Sequence, residues 1–312
     1  MPTVTSSPAT GVQIKSILVA TDFSPASEKP LRHAVAIARY FNANFFLMHV
    51  VSSLGFTLAG PDTTAAAVEL AWRDARQVER GLVASGELAG LCHKVLVCDG
   101  TIWTELERVI EQERIDMVVI GTHSRKGLVR LVLGSVAEQI FRHASCLVLT
   151  VGPNSPADAE IETAGAARPL LFPTDFQEGS NSALPYAIAL ACQRRTKLVL
   201  LHMLLPRQQL SAGRWHTPRN VEPMREEIQS VSRRRLQELM DRTAACGVEC
   251  EVITEFGEPV AGILRAAEVL HAEAIIIGLN RRSHVDMISH LPWSTAYETV
   301  CRAGCPVLTV RG

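Results

Sequence analysis

Residues 17–23 of this 312-residue chain read ILVATDF, and residues 170–176 repeat the pattern as LLFPTDF. Residues 117–121 (MVVIG) return in the same way as residues 274–278 (AIIIG). Because the order and the spacing of these stretches match, the sequence predicts one fold that is present twice.

Five short apolar runs in the first half are continuous in Val, Ile and Leu, a pattern typical of strands covered on both faces of a parallel sheet. They are residues 17–20, 44–51, 94–98, 117–121 and 147–151. Stretches with helical periodicity, such as residues 64–84 and 101–113, separate them. The alternation predicts an α/β chain of two doubly wound domains.

The length and composition of the chain indicate its domain count and exclude some classes of partner. A length of 312 residues fits two domains of roughly 150 residues each. The net charge of -1 gives no strongly basic surface, so we expect no nucleic-acid partner. No apolar run approaches the ~20 residues of a membrane span, so we expect no membrane partner and a cytoplasmic location.

Composition also suggests the domain boundaries. Residues 1–13 are rich in Thr, Ser and Pro and lack the basic start and apolar core of a signal peptide, which predicts a disordered tail. Residues 153–168 are rich in Ala, Gly, Pro and Glu without apolar periodicity, which predicts a linker. The two domains are then residues 14–152 and 169–312.

A loop rich in basic and small residues follows the strand at residues 117–121. It contains Arg125 and Lys126, and Gly134 and Ser135 then open a predicted helix. Backbone N–H groups and the positive end of the helix dipole could hold a phosphate chain there. Gly after a strand is also ordinary turn chemistry, and both interpretations stay open at this point.

Asp22 lies just past the first predicted strand. In open α/β sheets, ligands bind beyond the carboxyl ends of the strands. An Asp at this position is also a common helix cap, and Ser24 before Pro25 predicts a helix start with a capping hydroxyl. Asp22 and the loop together favour a nucleotide, with Asp22 near the base or ribose and the loop on the phosphates.

These motifs resemble those of the universal stress protein family, and the resemblance covers both halves, as in a tandem member. The matching stretches are residues 20–24 (ATDFS), residues 121–124 (GTHS) and the Gly134-Ser135 helix start. The family motif is Gly, two residues, Gly, nine residues, then Gly-Ser or Gly-Thr. Ser124 stands where the motif has its second Gly, and any positive φ there would cost about 1 kcal/mol or more.

The resemblance implies a five-stranded parallel sheet in the order 3-2-1-4-5 with helices on both faces. It also implies binding of ATP, with or without Mg²⁺, in members that keep the motif. It implies no settled enzymatic reaction, and it assigns no catalytic residue and no metal site. Carried over by motif position, the cofactor contacts would be Thr21, Asp22, Val50, Gly121, Ser124, Gly134, Ser135 and Val136.

The second half departs further from this motif. Thr174, Asp175 and Gly278 remain, but Arg281 stands at the position of Ser124 and Trp293 replaces Gly134. A Trp side chain at the helix start should block close approach to a phosphate. We therefore expect a degenerate site in a domain that keeps the fold.

Three functions follow from these patterns. The favoured one is an ATP-binding stress protein with a sensing or regulatory role, and the alternative is a nucleotide-free interaction or scaffold module. A weak ATP hydrolase ranks third, because no general base is evident beside the phosphates.

We also expect an intramolecular pseudo-dimer in which the last strands of the two halves, residues 147–151 and 307–310, pair antiparallel. Further homodimerisation stays open.

Overall fold

The computed structural model describes residues 11–51, 61–122, 134–153, 155, 168–204, 222–280 and 291–312. The chain divides into two compact units, one within residues 13–163 and the other formed by residues within 164–312 together with Gly11 and Val12. Ser124 and Arg281 lie outside the described residues, so the predictions that rest on them are not tested here.

The first half alternates strands and helices throughout its described length. Its elements are β1 (Ser16–Ala20), α1 (Glu28–Phe41), β2 (Asn44–Val51), α2 (Pro61–Ala84), β3 (His93–Asp99), α3 (Ile102–Gln112), β4 (Met117–Gly121), α4 (Ser135–His143) and β5 (Leu147–Val151). The five strands begin and end within one residue of the predicted bounds. The prediction succeeds because a strand that is buried on both faces is apolar along its whole length.

The strands of the first half form a parallel sheet in the order β3-β2-β1-β4-β5, as predicted. β1 lies at the reversal of strand order, with Ile17 opposite Phe45 of β2 and Met117 of β4. This adjacency brings the carboxyl end of β1, which is followed by Asp22, beside the carboxyl end of β4 at Gly121.

The second half repeats the architecture. Its elements are β6 (Leu170–Pro173), α5 (Glu178–Arg194), β7 (Leu198–Leu204), α6 (Glu222–Ala244), β8 (Cys250–Phe256), α7 (Pro259–Val269), β9 (Ala274–Leu279), α8 (Leu291–Arg302) and β10 (Val307–Arg311). Its strands are parallel in the equivalent order β8-β7-β6-β9-β10.

Helices cover both faces of each sheet. In the first half, α1 packs on β1 and β4, α2 on β2 and β3, and α4 on β5. With right-handed crossovers, α1 and α2 lie on one face while α3 and α4 lie on the other. The central strands are buried accordingly, and every residue of β5 is buried. Among the described residues, no helix is long and apolar enough to span a membrane.

Two contacts concern the residues next to the predicted boundaries of the first half. Val12, at the end of the predicted disordered tail, is buried. The start of the predicted linker is bound to the first half, because Lys29 Nζ donates to the carbonyl oxygens of Pro153 at 2.8 Å and Ser155 at 2.6 Å. Residues 1–10 and 156–167 lie outside the described part of the chain.

Candidate functional site

The turn after β1 is fixed by two side chains that bond back to the chain. Thr21 Oγ1 accepts from the Phe23 N–H at 2.9 Å, and Asp22 Oδ1 accepts from the Ser24 N–H at 3.0 Å and the Ser27 hydroxyl at 2.8 Å. Phe23 has a φ of 56°, a left-handed conformation that costs a non-glycine residue about 1–2 kcal/mol. These bonds offset that cost, so Asp22 has a structural role in the turn.

The prediction that the Ser24 hydroxyl caps the following helix is wrong. Ser24 makes no side-chain cap bond, and its Oγ is a buried atom that has no hydrogen-bond partner within the described part of the chain. A single 3₁₀ turn, Pro25–Ser27, comes first, and α1 begins only at Glu28. Asp22 bonds to this turn through the Ser24 N–H and the Ser27 hydroxyl, and neither the 3₁₀ turn nor α1 has a side-chain cap bond.

His49, at the end of β2, holds the same corner from the neighbouring strand. Its Nδ1 lies 2.7 Å from the carbonyl oxygen of Thr21, and its ring stacks on Phe23 with 4.8 Å between centroids. A carbonyl oxygen can only accept, so Nδ1 carries the proton and Nε2 is an acceptor in the neutral ring. These contacts give the half-buried His49 a structural role at this corner.

The start of α4 lies against the end of β4. Gly134 precedes the first helical residue, Ser135, and its N–H donates to the carbonyl oxygen of Thr122 at 3.2 Å. This N–H is therefore engaged within the fold. The next N–H groups, of Ser135, Val136 and Ala137, have no partner inside the helix, because the first turn of any helix leaves them unsatisfied.

A cavity of about 200 Å³ opens between these elements at the carboxyl ends of the strands. Among the described residues that line it, Asp22 is the one with an ionised side chain at neutral pH. Seven of the eight motif residues predicted from the sequence border it, and the eighth, Ser124, is not described. The seven are Thr21, Asp22, Val50, Gly121, Gly134, Ser135 and Val136.

The second half reproduces the corner at the end of its first strand. Asp175 Oδ1 accepts from the Gln177 N–H at 2.9 Å and the Ser180 hydroxyl at 2.6 Å, and Phe176 has a φ of 62°. His202 Nδ1 lies 2.8 Å from the carbonyl oxygen of Thr174. Burial lowers the pKa of His202 below its ordinary value, and its hydrogen bond to the Thr174 backbone opposes this shift in part.

In the second half, α5 and β9 are in tight backbone contact. A Cβ on Gly278, at the end of β9, would lie 2.1 Å from the carbonyl oxygen of Gly179 in the first turn of α5. Asn280 Oδ1 accepts from the Gly179 N–H at 2.7 Å. Two glycines therefore let α5 and β9 touch through their backbones.

A larger cavity, of about 500 Å³, lies at the equivalent place in the second half. Thr174, Asp175 and Gly278 border it, together with many apolar side chains. The side chain of Trp293 lies outside the described part, so its predicted blocking role is untested. The residues that are described nevertheless leave this cavity open, a feature that the motif comparison alone missed.

Each half is thus an open α/β sheet with a crevice where the strand order reverses, which is the place where proteins of this class bind ligands. The model of the universal stress protein family matches residues 13–152 and again residues 167–311. The chain therefore belongs to the universal stress protein family and contains two copies of its domain.

Individual relatives agree with this assignment. Universal stress protein MJ0531 of Methanocaldococcus jannaschii is 30% identical over 138 residues, which cover 44% of this chain and 81% of the relative. Universal stress protein A homolog 1 of Coxiella burnetii is 31% identical over 144 residues, 44% of this chain and 95% of the relative.

A solved structure shares the fold over nearly the whole chain. The crystal structure of a universal stress protein from Archaeoglobus fulgidus superposes with a TM-score of 0.65 at 18% identity. The match covers 96% of this chain and 97% of that one. At this identity the likeness supports the fold of both halves and carries no statement about a ligand.

Proposed function

We propose that the first half binds ATP, or a related adenine nucleotide, in a sensing or regulatory role. The supporting observation is that seven motif residues from four separate segments border one cavity at the carboxyl ends of the strands. This is the position at which open α/β sheets bind ligands. The intramolecular pseudo-dimer stays a prediction.

The start of α4 is the proposed phosphate end. The N–H groups of Ser135 and Val136 are in its first turn, where the helix dipole favours an anion. Arg125, Lys126 and Arg130 occur in the sequence just before this helix and would add positive charge. A triphosphate extending from the cavity toward this segment would meet donors and cations together.

Asp22 is the proposed contact for the base or ribose. Its Oδ1 already accepts two bonds from the turn. A carboxylate can accept about four hydrogen bonds, so the structural role and a bond from a ribose hydroxyl or a base amino group are compatible. The same side chain would then both fix the turn and orient the ligand.

A second candidate function is a nucleotide-free interaction module. It is favoured by the volume of about 200 Å³, which is below the ~300–1,000 Å³ that is usual for ligand sites. The engagement of the Gly134 N–H by Thr122 also favours it, because that donor is then unavailable to a phosphate. Direct titration separates the two functions.

The test is calorimetric titration of the full chain with ATP, with and without Mg²⁺, together with a phosphate-release assay. We expect a stoichiometry near one, and ATP at ten times its Kd should stabilise the protein by about 1.4 kcal/mol. We expect no phosphate release above the buffer rate. Absence of any binding heat or thermal shift would favour the interaction module.

A pair of matched variants tests the location of the site. Asp22→Asn and Asp175→Asn each keep an Oδ1 acceptor for the same turn bonds while removing the charge. The effect of each variant on stability should therefore be small and similar. Only Asp22→Asn should weaken ATP binding, by about tenfold or more, because a hydrogen bond to a charged group contributes about 1.5–3 kcal/mol. Equal affinity in both variants would contradict the assignment.

A further inference from the structure

The cavity of the second half differs in chemistry from that of the first. Its described lining includes the apolar side chains Leu201, Met203, Ile228, Phe256 and Ile263. Asp175 is the one side chain of the described lining that is ionised at neutral pH, and the described lining contains no Lys or Arg. A volume of about 500 Å³ is within the range of sites for drug-sized molecules.

Glycine at position 262 shapes the apolar wall. A Cβ there would lie 2.3 Å from Met203 Cε and 2.5 Å from Met203 Sδ, so a larger residue would displace this flexible thioether from α7. By repeat position, Met203 corresponds to Val50 of the first half and Gly262 to Glu105. Glu105 forms an ion pair with Arg108. The equivalent of Arg108, Arg265, pairs instead with Glu255, so the second half keeps an ion pair but has no carboxylate at position 262.

Phe256 extends this surface to the rim. It is 44% exposed, although it is a large apolar side chain that borders the cavity. The two sheet registers pair Leu204 with Phe256 and Val51 with Asp99, so Asp99 is its equivalent in the first half. An exposed aromatic ring beside an apolar cavity is a typical anchor for an apolar ligand.

Two neighbouring polar side chains at one end of the cavity lining, Asp175 and His202, offer acceptors, alongside lining side chains such as Asn280 that can also donate. The carboxylate of Asp175 accepts hydrogen bonds only. His202 uses Nδ1–H on the Thr174 carbonyl oxygen, which leaves Nε2 as an acceptor in the neutral ring. A ligand should therefore present a donor, such as a hydroxyl or amino group, to this end.

We propose that the second half binds an uncharged, largely apolar small molecule that carries a hydrogen-bond donor, at a site chemically distinct from the nucleotide site proposed for the first half. The Met203–Phe256 surface would contact its apolar body, and Asp175 and His202 would accept from its donor.

The test uses N-phenyl-1-naphthylamine, a neutral apolar amine with one N–H donor whose fluorescence rises in apolar surroundings. The full chain should enhance its fluorescence with saturation near one probe per chain, and excess ATP should not displace it. Phe256→Asp, which installs the residue of the first half at the rim, should weaken binding at least tenfold. Gln229→Trp should do the same by filling the cavity.

Two control variants locate the effect. Val269→Asp removes another exposed apolar side chain of the same domain, one that is 73% exposed and does not border the cavity, and should leave probe binding unchanged. Gly134→Trp, in the first half, should also leave it unchanged. The proposal is overturned if the probe does not bind, if ATP displaces it, or if both cavity variants, shown to be folded, bind it as the wild type does.

Discussion

Replacing Gly134 by Trp should abolish ATP binding in the first half while the protein stays folded. A Cβ at this position meets only the Thr122 carbonyl oxygen, at 3.6 Å, which is an ordinary van der Waals distance. The φ of -58° is open to any residue. We therefore expect a loss of stability of about 1 kcal/mol or less, a shift of a few degrees in Tm.

The effect on the ligand should be much larger. The indole would cover the first turn of α4, where the N–H groups of Ser135 and Val136 are the proposed phosphate donors. Each hydrogen bond to a charged group contributes about 1.5–3 kcal/mol, so losing two of them costs about 3 kcal/mol or more. This corresponds to a rise in Kd of about 100-fold or more.

Calorimetry with ATP measures this rise, and Gly81→Trp is the matched control. Gly81 lies in α2, is exposed and has no atom near its Cβ position, so a Trp there adds the same bulk away from the cavity. Gly134→Ala should keep both fold and binding. An unchanged Kd in a folded Gly134→Trp protein would show that the start of α4 does not bind the phosphates.

Two further predictions concern the second half. Burial lowers the pKa of His202 in the folded protein. As the pH falls, the imidazole is therefore protonated in the unfolded chain before it is protonated in the folded one, and the second half should lose stability below about pH 6.5. Urea unfolding at about pH 7.5 and about pH 5 should show this loss, and His202→Gln should reduce it; an equal loss in the variant would contradict the role of His202. Gly278→Ala should destabilise the protein by about 3 kcal/mol or more in thermal unfolding, because its Cβ would lie 2.1 Å from the Gly179 carbonyl oxygen, whereas Gly304→Ala, in open space, should change little. A Gly278→Ala protein as stable as the wild type would contradict the tight packing of α5 on β9.

The strands could be predicted because their physical signal is strong and local. A strand that is covered on both faces must be apolar at every position, and residues 117–121 are an example. The start of α1 could not be read in the same way. Ser24 and Asp22 both match the chemistry of a helix cap, yet neither caps α1. Asp22 instead stabilises a turn that contains a left-handed residue, Phe23, which the sequence does not reveal.

The second cavity was missed for a related reason. The motif comparison considers only the residues expected to bind phosphates, and the second half keeps fewer of these residues than the first. The apolar surface of this cavity instead depends on Gly262, against which Met203 packs, and on Phe256. Neither position belongs to the motif, and a glycine within a helix gives no sign of the thioether that packs on it.

The duplication itself indicates which residues can decide ligand choice. Asp22 and Asp175 accept equivalent bonds from their turns, and His49 and His202 bond equivalent carbonyl oxygens. Since both halves keep these contacts, the contacts belong to the fold, and an Asp at this place does not by itself indicate a nucleotide. A difference in ligand between the halves must come from positions that diverged, such as Gly134 and Phe256, which is why the variants that distinguish the two sites are placed there.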